Sequence, residues 1–65
     1  MWMVTQDEAI EMYARMFTAR HGNAASKLAR KTAHSLETQG DLEGHKVWNE
    51  VADRIDRNRR DERRH

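Results

Sequence analysis

Apolar residues recur with a helical period along most of the chain, and the most regular run lies in residues 40–55. There Val47, Trp48, Val51, Ala52 and Ile55 fall at i, i+1, i+4, i+5 and i+8. At ~100° per residue they share one narrow face, which predicts an amphipathic helix with Trp48 at its centre. Upstream, Ala9, Ile10, Met12, Tyr13, Met16 and Phe17 predict another. Their arc is about 160°, wider than the ~100° stripe of an ordinary surface helix, and Met12 and Met16 supply the extra width. Between the two, Ala25, Leu28, Ala29, Thr32, Ala33 and Leu36 form an inner face of small residues. Such a face lets a neighbouring helix come close.

Punctuation agrees with this periodicity. Thr5-Gln6-Asp7-Glu8 is a capping box, and Asp7, Glu8 and Glu11 complement the positive end of the helix dipole. Val4 and Ala9 are placed for a weak hydrophobic staple. Gly22 is a left-handed stop, and Asn23 is a suitable N-cap for the next helix. Gly40 ends that helix and Asp41 caps the following one, so the connection is short and reverses the chain. The expectation is all-α: a small antiparallel three-helix bundle with helices at about 5–21, 24–38 and 42–58. One domain over residues 1–58 precedes a charged tail, 59–65, with a frayed Arg-rich end. The expected core is Ile10, Tyr13, Phe17, Leu28, Ala29, Leu36, Val47, Trp48, Val51 and Ile55.

Length sharpens the question of stability. A 65-residue chain without cysteine has neither a disulfide nor a thiolate metal site to reinforce it. Good helix packing, or a partner, must do so. Lack of cysteine also fits a reducing cytoplasm. Charged residues are 35% of the chain and apolar ones 37%, yet the apolar ones are periodic, which argues against disorder. No apolar run reaches the ~18 residues of a membrane span, and no basic region followed by an apolar stretch marks a signal peptide. Net charge is only +1, but it is distributed by segment: −1, +2, −2 and +2 over residues 1–22, 23–40, 41–55 and 56–65.

From His21-Gly22 through Gly40-Asp41, Gly44, Trp48, Val51-Ala52 and Ile55, the chain resembles short uncharacterised bacterial proteins. These share a His-Gly turn, an Ala-rich helix, Gly-Asp-x-x-Gly, and a Trp followed by an apolar-Ala pair. The likeness covers roughly residues 9–57 and leaves out the Met1-Trp2-Met3 start and the Arg-rich end. It implies a three-helix fold and no assigned activity, so no functional residue is carried over.

Candidate chemistry is sparse. His21, His34, His45 and His65 never reach the i, i+4 spacing of a helical metal site, and His21 suits the negative end of a helix dipole. Ser26 and Ser35 have no evident triad, and Glu8 and Glu43 are explained by helix starts. No enzyme, metal or cofactor is expected. On the second helix Lys27, Arg30, Lys31 and His34 fall at i, i+3, i+4 and i+7 as one basic stripe. With Arg57 and Arg60 they are candidates for salt-dependent contacts to nucleic-acid phosphates. The same stripe is also what the solvent face of a helix looks like. In the third helix Lys46, Glu50 and Arg54, and the pair Asp53 and Arg57, have the i, i+4 spacing of a solvated, salt-bridged face.

The remaining candidate is apolar. Trp2, Met3, Met12 and Met16 exceed what so small a core obviously needs, although Met1 to Val4 folded across the open end of the bundle to finish the core is an equal alternative. Met is adaptable and Trp is a frequent anchor at protein interfaces. The leading expectation is a cytoplasmic, non-enzymatic module that binds another protein or itself through these residues, as an accessory subunit or inhibitor. Electrostatic nucleic-acid binding is the alternative.

Overall fold

The computed structural model describes the backbone of residues 5–63 and the side chains of residues 5–60. The expectations placed on Trp2, Met3, Val4 and His65 lie outside the described residues. The described chain is almost wholly helical: α1 (Gln6–His21), a 3-10 turn (Gly22–Ala24), α2 (Ala25–Thr38) and α3 (Leu42–Arg63). No strand occurs among the described residues, and no helix among them is long and apolar enough to cross a membrane. Because α1, the 3-10 turn and α2 follow without a break, the chain is helical in two uninterrupted runs, 6–38 and 42–63.

The local signals work largely as the residues dictate. Thr5 Oγ1 accepts the Glu8 N–H at 3.1 Å, and its hydroxyl donates to the Glu8 carboxylate at 3.2 Å. Gly22 takes φ +56°, a conformation that a side chain would strain, and its N–H returns to the Thr18 carbonyl. Gly40, at φ +87°, turns the chain from α2 into α3, with the Asp41 N–H bonded to the Leu36 carbonyl at 2.9 Å. The Asp41 carboxylate then caps α3 by accepting the Gly44 N–H at 2.9 Å. Gly44 leaves the room this needs: a Cβ there would stand 2.7 Å from Asp41 Oδ2 and 3.0 Å from Leu36 Cδ1.

Asn23 departs from expectation. It does not cap α2, because the 3-10 turn already hands the Ala25 N–H to the Gly22 carbonyl. Its side-chain and main-chain oxygens instead accept from Arg59, at 2.9 and 3.3 Å. That contact, and Asn58 donating to Glu11 at 3.0 Å, explain why α3 runs on to Arg63 past the expected end at residue 58. Polar residues that read as a tail find partners at the far end of the molecule.

α3 is the element against which the others rest. α2 runs antiparallel to it, tied near the turn by His45 Nδ1 to the Ala33 carbonyl (2.9 Å) and at the other end by Arg59 to Asn23. A carbonyl only accepts, so Nδ1 is the donor in that bond, and Nε2 lies 3.1 Å from the Asn49 side-chain amide. α1 lies along another side of α3. The whole measures 40 × 34 × 18 Å, a slab more than a ball.

The core differs from expectation in composition. Ile10, Ala14, Ala25, Ala29, Ala33, Val51, Ala52 and Ile55 are buried, and only Val51 and Ile55 are large and fully enclosed. Tyr13 is 46% exposed, a correction to its place in the expected core. Phe17, Leu28, Leu36, Val47 and Trp48 are half-buried. Alanine on both sides of the α2–α3 seam brings the backbones together and leaves no space for rings, so the aromatic side chains line the margin. Trp48 sits there against Phe17 (ring centroids 5.1 Å apart) and Tyr13 (6.0 Å), with tilted planes. Ala14, absent from the expected core, is fully buried.

Candidate protein-binding surface

The outer side of α1 carries the candidate surface. Ile10, Ala14 and Phe17 turn towards α3, which orients the rest of the helix. Met12 and Met16, one turn apart, then fall on the far side with 49% and 51% exposure, and Tyr13 adjoins them. The wide apolar arc of this helix is thus two faces, one packed and one exposed. Trp2 and Met3, expected to join this surface, lie outside the described residues. Leu42, 67% exposed at the start of α3, has no counterpart in the sequence reading.

Beside the methionines runs a groove of about 470 Å³, lined by Asp7, Glu8, Glu11, Met12, Arg15, Met16 and Arg54. Arg54 forms its α3 wall, donating to Asp7 and, at 3.0 Å, to Glu11. Glu11 also pairs with Arg15 on its own helix at 3.3 Å. Hydrogen bonds from Arg54 and then Asn58 hold the Glu11 carboxyl below its ordinary range. Hydrogen bonds to Asp7 and Glu11 push the Arg54 guanidinium further up. One flank of the methionine surface is therefore a fixed set of opposite charges. Arg54 was expected to pair along its own helix with Glu50; α1 supplies closer carboxylates. A second groove of about 460 Å³, between the N-terminal halves of α1 and α3, includes Asp7, Glu43, Lys46 and Glu50 in its lining.

The basic residues are less united than their spacing suggests. Lys27, Lys31, Arg57 and Arg60 are exposed. Arg30 is not a free cation: it donates to Asp53 at 2.9 Å and to Asp56 at 3.0 Å. Those bonds raise its pKa, and the Ser26 hydroxyl together with Arg30 lowers that of Asp56. Asp53 thereby pairs across the α2–α3 seam with Arg30, where the i, i+4 spacing had suggested Arg57. His34 Nδ1 lies 3.8 Å from Glu37, whose other oxygen is 3.6 Å from His45 Nε2. His21 packs its ring edge-on to Phe17 at 4.8 Å. Among the described residues no cluster of three or more His, Cys, Asp or Glu is arranged to hold a metal.

No family model matches the chain, and neither curated proteins nor solved structures show a significant match to it.

Proposed function

We propose that this chain is a small non-enzymatic interaction module, an accessory subunit or inhibitor, that binds through the Met12–Met16 side of α1. The observation that carries this reading is the exposure of Met12, Tyr13 and Met16 together on a helix whose opposite side is packed. Isolated exposed apolar residues are ordinary; a contiguous set beside a groove is the pattern of a contact surface. Methionine suits it, being flexible and polarisable enough to fit an irregular partner. In this reading the helical segments serve as a compact three-helix bundle that presents α1, and the partner is another protein or a second copy. The likeness to short bacterial helical proteins and the lack of cysteine favour a bacterial cytoplasm as the setting.

The test is Met12→Lys with Met16→Lys. Neither side chain is in the core, so far-ultraviolet circular dichroism stays as in the wild type while association is lost. Association equal to the wild type, with helicity preserved, removes the reading. Exposed Lys27, Lys31, Arg57 and Arg60 support the alternative of electrostatic nucleic-acid binding, whose mark is affinity falling steeply with salt. The commitment of Arg30 to two carboxylates weighs against it.

A further inference from the structure

Charge along α1 is graded. Asp7, Glu8 and Glu11 occupy its first half, and Arg15 and Arg20 its second. Around the exposed methionines the order is definite. Glu8 and Arg15 are seven positions apart, so they stand on nearly the same side of the helix, roughly 10 Å apart along its axis. Met12 lies between their levels. Both ends reach solvent: Glu8 is exposed while one of its oxygens accepts the Thr5 hydroxyl, and the Arg15 side chain is 79% exposed while it touches Glu11.

A flank with an acid at one end and a base at the other is self-complementary under one operation only. A two-fold axis beside Met12 reverses the second copy, bringing each Glu8 to the level of the other Arg15. Met12 of each copy then meets the other at the centre, and the two Met16 side chains flank them, each roughly 7 Å along the helix from the axis. The same axis sets the helix dipoles antiparallel, the favourable sense. A parallel copy sets acid against acid and base against base. Isologous contacts of this kind close on themselves and give dimers, not fibres.

We infer that α1 docks on α1 of a second copy of this chain, antiparallel, with Met12 at the centre, two reciprocal Glu8–Arg15 pairs along one edge and Met16 of each copy along the other. This rests on the reading of the methionine side as a contact surface, and it names the occupant. The groove beside Met12 and Met16 receives the methionines of the second copy, and Arg54 stays at its wall, held by α1 of its own chain.

Sedimentation equilibrium across a wide range of concentrations tests it. Wild type is a reversible dimer, and Met12→Lys/Met16→Lys is a monomer. Glu8→Lys alone and Arg15→Glu alone each break two symmetry-related pairs and weaken the dimer by about tenfold. The double variant Glu8→Lys/Arg15→Glu restores the pairing with its signs exchanged and returns the affinity to within a few-fold of wild type. Circular dichroism on each variant keeps loss of helix distinct from loss of contact. A wild type that stays monomeric throughout overturns the self-pairing, as does a dimer indifferent to both charge variants. If that monomer still binds a different protein in a methionine-dependent way, the surface stands and only the occupant is wrong. If it binds nothing through Met12 and Met16, both fall.

Discussion

Arg54 on α3 donates to Glu11 on α1 at 3.0 Å, and with only 18% of its side chain exposed it is the most enclosed arginine in any described ion pair. The same guanidinium reaches Asp7, so one side chain of α3 holds two turns of α1.

Replacing Arg54 with Ala should therefore loosen α1 without affecting the α2–α3 pair. Two hydrogen bonds to charged groups are lost, and Glu11 keeps only Asn58 and Arg15. Discounted for partial screening, the cost is about 1–2 kcal/mol. A urea titration gives the size. Hydrogen exchange shows whether the amides of α1 lose protection before those of α3.

Acid should weaken the same seam. The Glu11 carboxyl lies below its ordinary value of 4.5 in the folded chain, held there by Arg54 and then Asn58. The unfolded chain thus takes up the proton more readily. The contribution of Glu11 is complete above about pH 4.5 and is lost as pH falls through the lowered folded value. Asp56, lowered from 3.8 by Ser26 and Arg30, adds a loss of the same sign. Glu11→Gln is accordingly less stable than wild type at neutral pH. The gap between their urea midpoints narrows on acidification; a gap independent of pH would show that Glu11 does not carry the effect.

Core substitutions should separate sharply from those on the outer side of α1. Ala29 is fully buried in the cluster it forms with Val51 and Ile55, and Ala29→Leu overpacks it at a cost of about 1–3 kcal/mol. Ile55→Ala opens a cavity and costs about 2–5 kcal/mol, enough to unfold a domain this small. Thermal melts followed by circular dichroism distinguish these from Met12→Ala and Met16→Ala, which shift the melt little.

What the sequence discloses and what it withholds divide by range. Thr5, Gly22, Gly40 and Asp41 act on backbone within a few residues of themselves, so their roles are legible from order alone. Asn23, Arg30, Asp53 and Arg54 each have a plausible partner or role nearby in sequence and take a different one across a seam. An i, i+4 spacing marks a permitted pair, and a carboxylate on the next helix outcompetes it without leaving a trace in the periodicity. Tyr13 lies at the border of the apolar arc, where a few degrees decide between core and water. Ala14 is small enough to pass unnoticed, yet its size is why the helices meet there. Met12 and Met16 are legible as surplus apolar width; that they face outward follows only once Ile10, Ala14 and Phe17 are known to face inward.

The 18 Å thickness of the slab is less than two helix diameters, at ~10–12 Å each with side chains. Hydration therefore reaches at least one side of every helix, and little hydrocarbon is newly wetted when the chain opens. The heat-capacity increment is then expected at or below the usual ~12–15 cal/mol/K per residue, which flattens the stability curve. A partner seated on α1, as proposed, would add to the stability of the folded form by mass action.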